Sequence, residues 1–251
     1  MEEQNSEKIN KLIIPLAIVV AGIIIAGAVY LSSDKSAAPT NGPSPTNVDN
    51  TDVNPPKEDT ASLDKVAEIS NSDHVRGDRN AMVKIVEYSD TECPFCKRFH
   101  ETMKQIMDEY GKDGKVAWVY RHFPLDQLHP IKARNEAVAF ECANELGGND
   151  KFWSYADRLF EVTPSNNGLD PAELPKIAQY VGLNVSKFNT CLTSGKYDKH
   201  IEDDLQNAQA TGGNGTPWSI VVAKNGKKFP LNGAQPLEAI KQLIELALQE
   251  K

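Results

Sequence analysis

The feature that most constrains the fold is a pair of cysteines three positions apart, Cys93 and Cys96, at the junction of two segments of different pattern. The segment before them, Met82–Tyr88, is rich in β-branched and aromatic residues and predicts a strand, whereas apolar residues recur at helical spacing after them. Pro94 suits the first turn of that helix, because its missing N–H is not needed there. Cys93 is therefore expected at the helix entrance, where free N–H groups favour a thiolate, with Cys96 one turn inside on the core face. The pattern indicates a redox-active dithiol in which Cys93 is the attacking and attacked sulfur and Cys96 is its buried partner.

Other uses of a cysteine pair fit this sequence less well. A tetrahedral zinc site needs more ligands, and although His100 follows Cys96 by four positions, no second Cys-x-x-Cys or histidine pair completes the set. Covalent haem attachment requires a histidine directly after the second cysteine, and that position holds Lys97. A purely structural disulfide stays open, although it would not need to lie at a helix start. We therefore expect no metal site and no cofactor.

The N-terminal region predicts one membrane span. Leu12–Leu31 is uncharged and almost wholly apolar, and at the helical rise it is long enough to cross the hydrocarbon core. Because Lys8 and Lys11 precede it, residues 1–11 are expected to stay in the cytoplasm. A cleaved signal peptide is the alternative, since Ala26-Gly27-Ala28 has the small-residue spacing of a cleavage site. The anchored form predicts a single-pass protein of the cell membrane whose catalytic domain faces the extracytoplasmic side.

The rest of the chain divides into a linker and one domain. Residues 32–63 are dominated by small and polar side chains and predict a flexible linker. Residues 64–251 predict an α/β domain: a β-α-β unit, a helical insert at about 128–211, and a closing β-β-α unit. The net charge of −8 argues against a nucleic-acid partner. The strands expected after the cysteine helix are Lys115–Phe123, Trp218–Ala223 and Lys228–Leu231, with Asn225-Gly226 marking a hairpin.

Two motifs in this domain carry a family resemblance. Ile85-Val86-Glu87-Tyr88-Ser89-Asp90 before Cys93-Pro94-Phe95-Cys96, and Gly215-Thr216-Pro217 before the last hairpin, resemble the DsbA-like thiol:disulfide oxidoreductases of the thioredoxin superfamily. The resemblance covers nearly everything after residue 64. It implies a thioredoxin fold with an inserted helical domain and a cis peptide bond between Thr216 and Pro217, lying against the cysteine pair. It also implies that Thr216, Pro217, Pro94 and Phe95 contact the substrate.

Three further residues are candidates for a role in the domain. Glu87 stands in an otherwise apolar strand and resembles the buried acid of the family that relays a proton to or from Cys96. A solvated strand end beside Lys84 is the alternative. Cys142 and Cys191 each share a helix face with apolar residues, so a structural disulfide between two insert helices is the simplest account, and free buried thiols are the alternative.

The leading functional hypothesis is an oxidase that introduces disulfides into exported proteins with free thiols. The resemblance implies that a membrane protein of the DsbB or vitamin K epoxide reductase type reoxidises the pair. An isomerase or reductase is the alternative, because Phe95 cannot donate a hydrogen bond to the thiolate and Thr216 also occurs in those enzymes. A usual isomerase carries a dimerisation domain, for which the segment before the first strand is too short, so we expect a monomer. A redox-inert chaperone that uses only the peptide groove is the third hypothesis.

Overall fold

The computed structural model describes residues 60–250, which form one five-stranded sheet with helices on both faces. The strands are β1 (His74–Arg76), β2 (Val83–Ser89), β3 (Val116–His122), β4 (Trp218–Val222) and β5 (Lys228–Asn232). The helices are α1 (Thr60–Leu63), α2 (Pro94–Ile106), α3 (Lys132–Gly147), α4 (Asn149–Val162), α5 (Glu173–Tyr180), α6 (Val185–Leu192), α7 (Asp198–Ala210) and α8 (Leu237–Gln249). A π-helical turn, Met107–Gly111, continues α2.

The predicted N-terminal segments lie outside the described residues. These are the cytoplasmic end at 1–11, the membrane span at 12–31 and nearly all of the linker at 32–63. Within the described part, no helix combines the length and apolar character needed to cross a membrane.

The sheet places the cysteine helix over its central strands. The strand order is β1-β3-β2-β4-β5, and only β2 and β3 run parallel, joined by α2. Because β2 lies between β3 and β4, its residues Lys84–Tyr88 have a neighbour on both sides. Glu87 is paired with Tyr120 of β3 and with Ser219 of β4. The side chains of these three residues therefore share one face of the sheet.

That face carries the larger of two apolar cores. It is covered by α2, by α8 and by the insert helices α3–α6, and its largest rings are fully buried. Burying a phenylalanine side chain contributes about 1.5–3 kcal/mol, so this core is the main source of stability for the insert. The rings include Phe99 of α2, Trp118 of β3, Phe140 of α3, Phe152 of α4 and Phe188 of α6.

The opposite face carries a smaller core, to which α1 and α7 both contribute. Leu205 and Ala208 of α7 pack there, so the last helix of the predicted insert at 128–211 also belongs to the sheet layer. Leu63 is buried in the same core, and the Ser62 hydroxyl donates to the carbonyl of Thr211 at 3.2 Å. The helix α1, which directly precedes the predicted domain start at residue 64, therefore packs on the domain.

The predicted order of β-α-β unit, helical insert and β-β-α unit is confirmed. One strand was not predicted: β1, three residues long, pairs antiparallel with β3 at the edge of the sheet. A segment this short shows no alternation that could be recognised in the sequence. Its first residue, His74, is nevertheless buried.

Candidate functional site

Cys93 and Cys96 lie where the sequence predicts them. Cys93 is the N-cap residue of α2, with extended backbone angles, and Pro94 follows in the first turn. Cys96 is fully buried, whereas the side chains between the two sulfurs face solvent, with Phe95 53% exposed. The guanidinium of Arg98 lies 5.2 Å from the centre of the Phe95 ring. The surface around Cys93 is therefore apolar with a positive edge.

The surroundings of Cys93 favour its thiolate. The pKa of Cys93 is lowered to about 6, mainly by a hydrogen bond with the Cys96 thiol. Burial raises this pKa, but hydrogen bonds from Thr216 and from the N–H groups of Cys96 and Phe95 lower it further. In the protonated form, the Cys93 thiol donates to the carbonyl of Thr216 at 3.5 Å. The Thr216 hydroxyl has no other hydrogen-bond partner among the described residues. Cys93 can therefore serve as nucleophile and as leaving group near neutral pH.

The surroundings of Cys96 favour its neutral thiol. Burial, followed by the hydrogen bond and the charge of Cys93 and by the charge of Glu87, raises its pKa well above the ordinary value of a thiol. Its sulfur accepts one hydrogen bond, from the N–H of Asp90 at 3.4 Å. A Cys96 thiolate released in this environment would take up a proton, so the chemistry of the pair needs a nearby proton donor.

Glu87 is a buried acid in the same region. It is fully buried, which rules out the alternative of a solvated strand end. Burial raises the pKa of Glu87 to about 7, although the indole N–H of Trp118 donates to its Oε2 at 2.7 Å and favours the ionised form. The negative charge of Cys93 raises this pKa further. Glu87 can therefore gain or lose a proton near neutral pH.

The rest of that sheet face offers hydroxyl groups without partners. Within the described residues, the Oε1 atom of Glu87 and the hydroxyls of Ser89, Tyr120 and Ser219 are buried and lack a hydrogen-bond partner. Tyr120 and Ser219 flank Glu87 on the adjacent strands, and Ser89 follows it by two positions on the same strand. These groups make the buried surroundings of Glu87 polar. The alternation of residue types along the strands does not reveal this pattern.

The loop before β4 approaches the cysteines as the resemblance implies. The peptide bond between Thr216 and Pro217 is cis, and the Thr216 carbonyl is the one that faces the Cys93 sulfur. Pro217 is buried, and its carbonyl accepts from the N–H of Gly233 at 3.0 Å. Trp218 anchors the next position, since its indole N–H donates to the Thr211 hydroxyl at 2.9 Å.

A pair of carboxyl groups beside Cys93 was not predicted. Glu92 accepts hydrogen bonds from the N–H groups of Gly168 and Leu169, at 3.2 and 3.3 Å. Burial, then the hydrogen bond and the charge of Glu92, raises the pKa of Glu136 on α3 to about 9. Glu136 therefore keeps its proton at neutral pH beside the Glu92 carboxyl group. In the sequence Glu92 has the appearance of an ordinary residue at a helix start, and only the packing of α3 reveals its partner.

The predicted disulfide is present, and Asp90 has a structural role. Cys142 of α3 and Cys191 of α6 are joined by a disulfide, with their Cα atoms 5.8 Å apart. Asp90 shapes the turn before Cys93, because its carboxylate accepts from the N–H of Glu92 at 2.8 Å and from His129 at 2.9 Å.

The comparisons with known proteins agree with this architecture. A family model described as Thioredoxin matches residues 70–246. The crystal structure of DsbA2 from Pseudomonas aeruginosa is 29% identical in sequence, with a TM-score of 0.63 over 73% of this chain and 100% of that one. Oxidised BdbD from Bacillus subtilis is 24% identical, with a TM-score of 0.62 over 71% of this chain and 94% of that one, which shows the shared fold alone.

A protein with the name of an ion transporter also matches part of this chain. The Na⁺/H⁺ antiporter NhaA 1 of Salinispora arenicola is 30% identical over 175 residues, which are 70% of this chain but 24% of the antiporter. The chain thus spans about a quarter of the length of that curated relative. The thioredoxin model, in contrast, covers well over half of the chain, including both cysteines and the loop at Pro217. The chain therefore belongs to the thioredoxin family and has a thioredoxin-like fold similar to that of the DsbA proteins.

Proposed function

We propose that this protein is an extracytoplasmic thiol-disulfide oxidoreductase that introduces disulfides into exported proteins through Cys93 and Cys96. The observation that carries the proposal is the contrast between two thiols of one helical turn, one with its pKa lowered to about 6 and the other with its pKa raised. A stable Cys93 thiolate stabilises the reduced form of the pair, and a dithiol stabilised in its reduced form is an oxidant.

The reaction begins with the pair as a disulfide. A substrate thiolate attacks the Cys93 sulfur, the bond between Cys93 and Cys96 breaks, and Cys96 leaves with the electron pair. Because the Cys96 thiolate is strongly basic, it takes a proton, which we assign to Glu87 in its protonated form. A second substrate thiolate then attacks the substrate sulfur of the mixed disulfide and releases Cys93 as a thiolate. The substrate loses two electrons and the cysteine pair gains them.

The substrate surface is the second part of the proposal. Pro94 and Phe95 are exposed beside Cys93, and Thr216 is partly exposed on the other side, with its carbonyl facing the Cys93 sulfur. An extended segment of an unfolded protein could contact all three residues while its cysteine meets Cys93.

We further propose an anchor in the cell membrane through residues 12–31, reoxidation by a membrane protein of the DsbB or vitamin K epoxide reductase type, and a monomeric state. Ion transport is not carried over from the antiporter, because the match covers 24% of that protein.

An isomerase or reductase using the same pair is the second candidate. The observation in its favour is Phe95, which is exposed between the two cysteines and offers neither a hydrogen-bond donor nor a positive charge to the thiolate. The direction of electron flow therefore decides between the candidates. It follows from the reduction potential of the pair.

The test is the reduction potential of Cys93 and Cys96 in the full chain, equilibrated with glutathione buffers while Cys142 and Cys191 stay intact. We expect a value well above that of thioredoxin, about −270 mV. A value at or below that of thioredoxin would contradict the oxidase and support the reductase. In the same chain, Cys96→Ser should accumulate a mixed disulfide with an unfolded substrate that carries a disulfide, because the Cys93 thiolate attacks that disulfide and no Cys96 thiol is left to resolve the product, whereas Cys93→Ser should form none.

A further inference from the structure

We infer that His74, Glu141 and His200 form a binding site for a divalent transition-metal ion of the zinc type, separate from the cysteine pair. The three side chains come from β1, α3 and α7 and offer one ligand atom each, all within 4.8 Å of one another. Two imidazole nitrogens and one carboxylate oxygen are a ligand set that zinc uses in proteins. This inference does not depend on the proposed function.

The distances between the three ligand atoms are close to those of ligands around a single ion. The Nε2 atom of His74 lies 2.7 Å from Oε1 of Glu141, and the Nε2 atom of His200 lies 3.6 Å from the same oxygen. Two ligand atoms bonded to one zinc ion at about 2.0–2.2 Å are separated by roughly 2.8–3.5 Å, depending on the coordination geometry. Small rotations of the side chains would therefore bring the three atoms onto one ion.

The surrounding residues hold two of the ligands in place. The His74 ring stacks on Phe152, with the ring centres 3.7 Å apart and the planes 10° from parallel. His122 of β3 is buried, and its Nε2 atom lies 2.9 Å from Oε1 of Glu141. A group that bonds to a ligating carboxylate fixes its orientation, as the outer partners of known metal sites do. His122 thus serves as a positioning residue for Glu141.

The site opens to solvent on one side. His200 keeps 31% of its side chain exposed, and together with His74 and Glu141 it lines a cavity of about 550 Å³. An ion can therefore enter, and a water molecule can complete its coordination. The two basic side chains of the cavity are engaged elsewhere, since Arg79 donates to the carbonyls of Ser70 and Asp73 and Lys196 pairs with Glu145.

The burial of Glu141 gives a physical reason for a cation. The carboxylate is 3% exposed and faces three imidazole rings. A buried carboxylate is costly unless a positive charge is close to it. A bound metal ion supplies that charge at pH values where imidazoles are neutral. The competing account is a hydrogen-bonded cluster that uses protonated histidines and binds no metal.

The sequence alone predicts no such site, because its ligands are scattered. Three of the five histidines of the chain meet there, yet no two of them lie at the spacing of a familiar zinc motif. The convergence depends on β1, the strand that was not predicted, and on the packing of α7 against α3.

The experiment is a zinc titration of the full chain, prepared without a histidine tag and with Cys93 and Cys96 oxidised so that they cannot bind metal. Competition with a chromogenic chelator measures the affinity. We expect one Zn²⁺ per chain and a loss of at least tenfold in affinity in His200→Gln. Tyr197→Phe, which changes another side chain of the same cavity, serves as the matched control and should bind as the parent does.

The nature of the ligands provides a second measurement. X-ray absorption at the zinc edge should show a first shell of nitrogen and oxygen only, and Glu141→Gln should weaken binding while the circular dichroism confirms that the variant is folded. Failure to bind one equivalent, an unchanged affinity in a folded His200→Gln, or sulfur in the first shell would each overturn the proposal. The first two results would favour the hydrogen-bonded cluster.

Discussion

At the scale of single residues, Cys93 and Cys96 are one helical turn apart, yet their surroundings shift their pKa values in opposite directions. Cys93 receives hydrogen bonds from the Cys96 thiol and from N–H groups at the start of α2, which stabilise negative charge. Cys96 lies inside the core, where burial disfavours the same charge. Position along the helix, rather than residue type, therefore assigns the two roles.

The pKa of Cys93 can be measured directly. In the reduced full chain, the ultraviolet absorbance of the thiolate should titrate with a midpoint near pH 6, and Cys93→Ser should lack this transition. Because the thiolate is the nucleophile and is lost as the pH falls through about 6, alkylation of Cys93 by iodoacetamide should slow about tenfold per pH unit below that value. A midpoint near 9, the ordinary value of a thiol, would show that the surroundings of Cys93 do not stabilise its charge.

At the scale of elements, the segments with a strong pattern could be predicted and the short ones could not. The strand predicted before the cysteines and the strand observed, β2, differ by one residue at each end, because alternation and β-branched residues mark it clearly. The helical insert at about 128–211 was also predicted, and the helices α3–α7 lie within it. The edge strand β1 and the helix α1 were missed, since three or four residues are too few to show a period.

In the candidate site, too, features with a local sequence pattern could be predicted and features that depend on packing could not. The helix-start position of Cys93 and the burial of Cys96 could be predicted from local pattern, and the cis bond at Pro217 came only from the family resemblance. The carboxyl pair of Glu92 and Glu136 could not be predicted, because its members come from elements that meet only when the insert packs on the sheet. Local sequence therefore specifies the reactive sulfurs, and tertiary packing specifies the ionisable groups around them.

The disulfide between α3 and α6 is expected to stabilise the fold without affecting the redox chemistry of Cys93 and Cys96. Cys142 and Cys191 close a loop of 49 residues, so their bond restricts the unfolded chain. Replacing both by alanine should lower the free energy of unfolding by about 2–4 kcal/mol, measured by urea denaturation of the full chain. The reduction potential of Cys93 and Cys96 should stay unchanged, since the two pairs lie in different parts of the fold. A large change in that potential would assign Cys142 and Cys191 a redox role.

At the scale of the whole molecule, two buried acids, one in the sheet and one in the insert, keep their protons to a higher pH than exposed glutamates do. Glu87 belongs to the sheet face beneath the helix, with its pKa raised to about 7, and Glu136 belongs to the insert, with its pKa raised to about 9. In both cases burial is the main cause. The unfolded chain releases these protons near pH 4.5, whereas the folded protein keeps them to higher pH. The stability that these two acids contribute should therefore fall as the pH rises from about 4.5 to about 9.

The last prediction uses amide variants to remove this dependence. In the oxidised full chain, Glu87→Gln should gain stability relative to the parent between pH 4.5 and 7, reaching about 3 kcal/mol above pH 7, because the amide cannot ionise and the neighbouring hydroxyls can accept its N–H groups. Glu136→Gln should show its gain up to about pH 9. The exposed Glu101→Gln on α2 is the control and should follow the parent at every pH. Urea denaturation between pH 4 and pH 9.5 measures all four proteins, and parallel pH profiles for Glu87→Gln and the parent would show that Glu87 ionises as freely in the folded protein as in the unfolded chain.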